Sequence, residues 1–502
     1  MFIGCFNYVN LSFSRLLRQI RTLHIECLLG ATRRHICWQL FADTFLMVIA
    51  AFLLSVLLMN DLMVAFNATV AAKLSFAYLF SGQVFPVLLL FVVVFSVIPA
   101  QYMSQKIRTL SENSYRSFFT GRKKQRIVAT LVTLQFVISM CLLSAFMVIR
   151  SQMGLIELEG SRYKGIIELG MDDAVLPVHS PLQMWAEEIR RTDGVEHVAF
   201  SRSGLYPMSV AVPRQEGTDK DLLMLELYEN GMDFLSIYHL ELLDAGQTTG
   251  MLAHIPVPVV VNEAFVRYLV PTDEAPTGQP VSKYVSGMDM DGTIVGVVKD
   301  FKKYSLTDNV SPMRMLLRDT PQQDYTTLTI KIDEKFRTAA IHRLRELWEK
   351  RYPDIPFEYK EPYRILMSSN QEVADFSRLL LMYASISLFL TLFGLFGITY
   401  YAIRQRIREI GIRKIHGASF RQILWLVNRP FIRYIGIAFV LTVPVVCYAM
   451  EGWLQQFAYR VHPEIIHFLF PLLFTVGITL FTVCLNSYRA ARNNPVDSIK
   501  QE

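Results

Sequence analysis

The chain reads as a multi-pass α-helical membrane protein with one large α+β extracytoplasmic domain. Three observations predict that class. The 502 residues are 52% hydrophobic and only 19% charged, where soluble proteins carry about 25% charge. The apolar residues gather in runs of about 20, enough to cross a ~30 Å hydrocarbon core as a helix. Between two such runs, Ser151 to Asn370 mixes strand-like and helix-like patterns instead.

In chain order the runs are Met1 to Leu17, Phe41 to Met59, Leu79 to Ile98, Ile127 to Ile149, Leu379 to Ile403, Phe431 to Met450 and Ile465 to Leu485. The first is short and carries Asn7 and Asn10. It lacks the basic leader and small-residue cleavage site of a signal peptide, and reads as the end of a helix. Lysine and arginine place the loops. Basic clusters at Arg15 to Arg34, Lys106 to Arg126, Arg404 to Arg421 and Arg489 to Lys500 assign those segments, with the C-terminus, to the cytoplasm. Asn60 to Tyr78, Ser151 to Asn370 and Glu451 to Glu464 then face outward, and seven crossings satisfy the alternation. The +6 net charge reflects this bias. The basic residues hug membrane ends, so a nucleic-acid partner is not expected.

The division that follows is a transmembrane block at 1–103, a cytoplasmic linker at 104–125, a helix at 126–150, the outer domain at 151–372, three helices at 373–488 and a tail at 489–502. All six cysteines fall in spans or cytoplasmic loops. The outer domain, although in a compartment where disulfides persist, must therefore hold together by its core. Strand patterns occur at His197 to Ser201, Leu222 to Tyr228, Pro258 to Val261, Thr293 to Val298 and Thr326 to Ile332. Helix patterns occur at Pro181 to Arg191, Glu263 to Leu269 and Lys335 to Arg351, the last with Phe336, Ala340, Leu344 and Leu347 on one face. Asp291-Gly292 before a strand signals a hairpin turn. A calcium loop there lacks its remaining ligands.

Catalytic motifs are sparse. The dipeptide Gly-Lys does not occur, so there is no GxxxxGK[ST] phosphate loop, and HExxH and CxxC are missing too. No cofactor or metal is expected, and the chain is not read as an enzyme. Ionisable residues are nearly absent within the spans: Arg433 and His467 lie near ends, where snorkelling accounts for them. This counts against an ion-coupled transporter or a channel.

The most informative feature is a duplication. Arg404 to Leu426 (RQRIREIGIRKIHGASFRQILWL) has an imperfect copy at Arg18 to Leu40 (RQIRTLHIECLLGATRRHICWQL). Registering Gly30 on Gly417, an offset of 387 residues (417 − 30), pairs Arg21 with Arg408, Ile25 with Ile412, Arg34 with Arg421, Ile36 with Ile423 and Trp38 with Trp425. Gly417 followed by Ala418-Ser419 predicts a helix stop and a new N-cap. A lone basic amphipathic segment reads as an interfacial helix held by anionic headgroups. Two copies at matching positions favour docking to a partner with two matching surfaces. Arg404, Arg408, Glu409, Arg413, Lys414 and Gly417 form the main candidate site, and Arg18, Arg21, Gly30 and Arg34 a weaker second one.

These residues resemble the FtsX-like permease family, in particular MacB-like permeases of ABC transporters. Gly394-Leu395-Phe396-Gly397 with RQRIREIGIRKIHGA carries the likeness, joined by Asn494, Pro495 and Val496 of the tail and by CFNYVNLSFSRLL at Cys5 to Leu17. VVVNEAFVRYL (Val259 to Leu269), GTIVGVVKDFKKYSL (Gly292 to Leu306) and PDIPFEYK (Pro353 to Lys360) look like the family's periplasmic core domain. The resemblance implies a bacterial inner-membrane subunit with residues 151–372 in the periplasm. It implies a separate ABC ATPase as cytoplasmic partner. Further partners it admits are a second permease copy or a missing N-terminal half, and a periplasmic adaptor. Members export drugs or peptides, release lipoproteins, or control cell-wall hydrolases, so a regulator or sensor is the alternative, and a degenerate remnant another. Long members carry span, outer domain and three spans twice. This chain reads as a truncated two-repeat form whose first docking copy is eroded, with Thr22, His24, Glu26 and Cys27 replacing the counterparts of Glu409, Gly411, Arg413 and Lys414.

Overall fold

The computed structural model describes residues 29–70, 75–108, 122–170, 182–202, 204–205, 207–213, 222–243, 255–285, 291–301, 310–318, 325–405, 412–413, 415–457 and 459–492, together with 4, 7, 25, 26 and 409. Two compact units result. One comprises Met1–Ser151, Val373–Trp453 and His462–Glu502, the other Gln152–Glu372 with Leu454–Val461.

The helices in chain order are α1 (Arg33–Val70), α2 (Val84–Arg108), α3 (Arg122–Ser161), α4 (Leu182–Arg190), α5 (Asp233–Ile237), α6 (Glu263–Leu269), α7 (Arg337–Arg351), α8 (Pro362–Ser369), α9 (Gln371–Gln405), α10 (Phe420–Leu454) and α11 (Ile466–Arg492). Among the described residues five are long and apolar enough to cross a membrane: α1, α3, α9, α10 and α11. The run expected from Leu79 starts its helix only at Val84. A 3-10 turn over Phe76–Phe80 ends at Ser81, whose hydroxyl then accepts from the Val84 N–H at 3.4 Å. The first apolar run lies outside the described residues, apart from Gly4 and Asn7.

In the membrane unit, Phe136 of α3, Leu395 of α9, Ile423 and Phe431 of α10 and Val483 of α11 share one buried cluster. Helices α1 and α2 meet at Thr44, whose hydroxyl oxygen lies 3.1 Å from the Ser96 carbonyl and 2.8 Å from the Leu40 carbonyl of its own helix. In lipid, packing and such polar contacts, rather than hydrophobicity, hold helices together. Much of α1 stays outward, with Leu53, Leu57 and Leu62 exposed, as suits a lipid-facing helix.

The outer unit is built on an eight-stranded mixed sheet of β1 (Ile166–Gly170), β2 (Val195–Ser201), β3 (Met208–Pro213), β4 (Leu222–Gly231), β5 (Pro258–Asn262), β6 (Thr293–Val298), β7 (Met313–Arg318) and β8 (Thr327–Ile332). The order is β1-β8-β2-β4-β7-β5-β6, with β3 on β4. Only β4–β7 and β5–β6 are parallel. Over β1, β8 and β2 both faces are covered. Trp185 of α4 and Leu344 and Trp348 of α7 pack on Ile167, Val198 and Ile330, while Phe234 and Tyr238 pack the other face with Ile166 and Ala199. Such strands read as apolar runs: every residue of β5, from Pro258 to Asn262, is buried. Asn262 then caps α6, accepting from the Phe265 N–H at 2.9 Å and from the Met313 N–H at 2.8 Å, so one side chain starts the helix and ties β5 to β7.

All five expected strands and all three expected helices are present. The sequence reading omits β1, β3, β7, α5 and α8. Two details need correction. Gly292 has the positive φ of a turn, +124°, yet β6 pairs parallel with β5, and among the described residues no Asp-Gly hairpin joins two strands. Phe336 is 51% exposed and precedes α7, whose buried face is Ala340, Leu344, Leu347 and Trp348.

A buried carboxylate closes the sheet edge. Glu168 of β1 exchanges backbone bonds with Lys360 at 2.9 and 2.8 Å. Its Oε1 accepts from the Leu205 N–H at 2.9 Å and the Tyr238 hydroxyl at 2.6 Å. Gly204, at φ +62°, lets the carboxylate in, since a Cβ there would meet it at 2.6 Å. Burial pushes the Glu168 carboxyl above its ordinary range, against those hydrogen bonds and the Lys360 charge. Folding therefore takes up a proton between the unfolded and folded pKa values. The stability this contributes is full in acid and is lost as pH rises through the raised value. Glu168→Gln keeps the Oε1 acceptor and should flatten that decline in pulse proteolysis across pH; an unchanged slope rejects the assignment.

Candidate functional site

Around its two glycines, where it is described, the duplicated sequence takes the same backbone twice. Gly30 and Gly417 both adopt the left-handed conformation, at φ +98° and +82°. Each stops a helical turn in a Schellman motif, in which the N–H after the glycine reaches back to a carbonyl five residues earlier. Ala31 N–H donates to Glu26 O at 2.9 Å and Ala418 N–H to Arg413 O at 2.9 Å. The bonds Leu29 to Ile25 (3.0 Å) and His416 to Ile412 (3.1 Å) also coincide, as do Ile36 to Thr32 (3.2 Å) and Ile423 to Ser419 (3.3 Å). The next helices begin at Arg33 and Phe420. Every one of these pairs obeys the offset of 387. In the second copy Gln422 Oε1 accepts from the Ser419 N–H at 3.0 Å, one half of a capping box.

Side chains on the elbows are mostly outward. Glu409 and Arg413 pair at 3.0 Å across one helical turn, both about half exposed, so this pair contributes only about 0.3–0.5 kcal/mol. Arg34 lies exposed in the first turn of α1. Arg404 sits in the last turn of α9 by its backbone. Arg408, Lys414, Arg18 and Arg21 lie outside the described residues. Ile36 and Ile423 are both buried, at 3% and 4%, and Ile423 joins the core of the membrane unit. The stress on arginines in the sequence overlooked exposed apolar positions that also repeat. Ile25 and Ile412 are exposed, as are Trp38 and Trp425, with Leu29 and Ile415 beside them. An exposed aliphatic patch flanked by charge can seat a protein groove, and tryptophan at helix ends suits the headgroup layer. The signal was available in the offset itself, which pairs isoleucine with isoleucine and tryptophan with tryptophan.

Among the described residues no cluster of His, Cys, Asp or Glu could hold a metal. One open cavity of about 440 Å³ is lined by Lys164, Arg337, Glu361 and Arg364 beside Tyr163 and Tyr363, with Glu361 accepting from Arg337 at 2.7 Å and Arg364 at 3.1 Å.

The FtsX-like permease C-terminal family model matches residues 1–111 and 381–495, two stretches that each contain one elbow. Those two stretches are of the FtsX-like permease C-terminal type. No curated protein matches the chain. Two solved structures align with it, each over 39% of the chain. The extracellular domain of the noncanonic ABC-type transporter YknZ from Gram-positive bacteria aligns over 97% of its own length, at 10% identity and TM-score 0.27. A domain of a putative permease protein from Porphyromonas gingivalis aligns over 88% of its length, at 13% identity and TM-score 0.25. With these stretches and its long apolar helices, the chain is a multi-pass membrane permease with an α+β domain.

The elbow glycine permits one direct check. Valine at 417 cannot adopt φ +82° without about 1–2 kcal/mol of strain. Gly417→Val should speed hydrogen exchange at the Ala418 N–H by roughly five- to thirtyfold and leave the Gly30 elbow unchanged. Equal exchange in both proteins would show that the turn is not set by glycine.

Proposed function

We propose that this FtsX-like permease is the membrane subunit of a bacterial ABC transporter of MacB-like type, worked by a separate ATPase. The observation that carries the reading is the doubled elbow. Two helix–glycine–helix turns of the same backbone each feed a membrane helix, α1 or α10, and an ATPase dimer offers two like surfaces to receive them. Arg404, Arg408, Glu409, Arg413 and Lys414, with Ile412 and Ile415, form the stronger contact. Arg18, Arg21 and Arg34, with Ile25, form the weaker one. The chain lies in the inner membrane with elbows and C-terminus in the cytoplasm and residues 151–372 outside.

Nucleotide closure on the cytoplasmic side moves the elbows, and rigid helices carry that movement outward. Leu454–Val461, at the start of the α10–α11 loop, belongs to the outer unit, and the fully buried Gln152 holds it. Gln152 Nε2 donates to the Tyr459 carbonyl at 2.9 Å and its Oε1 accepts from the Val461 N–H at 3.0 Å. A side-chain amide thus adds two hydrogen bonds to the loop backbone, each contributing about 0.5–1.5 kcal/mol. That outward movement drives export of a peptide, drug or lipoprotein.

Affinity purification of the intact complex from membranes tests the reading. An ATP-hydrolysing subunit should co-purify, with ATPase activity absent from the permease alone. Hydrolysis by the isolated permease, or a complex devoid of any ATPase, overturns it.

A further inference from the structure

The offset of 387 residues that superposes the elbows also makes Asn7 the counterpart of Gly394, and these two residues touch. Asn7 has helical backbone and is 7% exposed. Its Nδ2 donates to the Leu390 carbonyl. Its Oδ1 accepts from Gln135 Nε2 at 2.9 Å, and the same Gln135 nitrogen reaches the Leu390 carbonyl at 3.4 Å. A Cβ on Gly394 would lie 2.8 Å from Asn7 Cγ and closer still to Oδ1, so only glycine admits the amide. One turn along, the Ser139 hydroxyl of α3 lies 2.6 Å from Ser387 and 3.0 Å from Thr391 of α9.

In an assembly of two like parts, a residue meets its own counterpart only on the twofold axis. The contact is also unlike in kind, because an amide knob enters a glycine hole. Pairing of like repeats would set Asn7 against Asn7, and Gly394 against Gly394 across a gap. The first would forfeit the bonds that Asn7 now makes to Leu390 and Gln135, and the second would leave the glycine gap unfilled. A single buried asparagine is known to specify which helices pair. We infer that the two repeats of one chain pair with each other about a pseudo-twofold axis through Asn7 and Gly394, and that this asparagine–glycine fit selects self-pairing over pairing with a second copy. One polypeptide then supplies both docking elbows of a permease unit.

Cysteine cross-linking tests this in full-length protein whose six native cysteines are replaced by serine. A disulfide sets each Cβ about 3 Å from the far sulfur, close to the 2.8 Å between a Cβ at 394 and Asn7 Cγ. Two differently tagged copies of Asn7→Cys/Gly394→Cys are co-expressed and oxidised in membranes. The expected result is loss of maleimide labelling at both thiols with the chain still at monomer mass, while each single-cysteine variant keeps its label. Two differently tagged copies that keep Asn7 and Gly394 should not co-purify, and their co-purification overturns self-pairing; retention of both labels in the double-cysteine variant overturns the contact. A second measurement does not need the disulfide. Gly394→Ala should lower the thermal stability of the chain in native membranes, and adding Asn7→Ala should restore part of it by vacating the space. A double variant no better than Gly394→Ala overturns the knob-and-hole fit.

Discussion

Reversing charge at Arg408 and Arg413 together is expected to abolish co-purification of the ATPase while leaving membrane insertion intact. Arg413 meets Glu409 at 3.0 Å on an exposed helical face, so glutamate at 413 would replace a weak attraction by a weak repulsion within the helix. That loss is about 0.3–0.5 kcal/mol, and the Schellman turn at Gly417 uses only backbone groups. The elbow therefore survives the change. Across an interface the balance differs, because juxtaposed like charges cost several kcal/mol. Two reversals at roughly 2 kcal/mol each weaken binding about a thousandfold. Retained ATPase in membranes that resist alkaline extraction would falsify the docking role. Arg34→Glu in the first elbow should have a smaller effect, since the pair equivalent to Glu409 and Arg413 is lost there: Thr22 and Glu26 occupy those positions.

The largest stability effect in the outer unit should come from Trp348→Ala. Trp348 is 2% exposed. Its ring lies 5.5 Å from Trp185, 5.2 Å from Tyr352 and 6.0 Å from Phe357. The indole N–H donates to the Ile355 carbonyl at 2.8 Å, fixing the turn that leads from α7 towards the sheet edge at Lys360. Removing a buried tryptophan costs about 3–5 kcal/mol and should lower the unfolding temperature of a unit this size by roughly 10 °C. Pulse proteolysis of the intact chain in membranes reads this directly. A shift of under about 2 °C would mean that the aromatic cluster is not the keystone of that face.

The elements legible in the sequence are those whose cause is local. Thr293 to Val298 and Glu263 to Leu269 coincide with β6 and α6 to the residue, because a β-branched run and an Asn-capped amphipathic turn carry their own signal. The elbow was legible for the same reason, since glycine tolerates a left-handed backbone that other residues resist. Strand β7 was not. Met313 to Arg318 reads MRMLLR, a composition suited to helix, yet it lies parallel to β4 and antiparallel to β5 and buries five of its six residues. Even Arg314 is 6% exposed, and its guanidinium donates to the Asp291 carbonyl at 2.6 Å. Strand β1 hid behind Glu168, a charge where a core residue was expected.

The amino-acid order by itself determined the membrane class, most of the strands and helices, and the twofold repetition of a helix–glycine–helix turn. Each follows from run length, periodicity or backbone preference within a few residues. Only the tertiary structure decided the strand order, the burial of Glu168 beneath Tyr238, the clamp of Gln152 on the α10–α11 loop, and the meeting of Asn7 with Gly394. Those depend on which distant groups satisfy one another once water is excluded, and no local pattern encodes a partner hundreds of residues away.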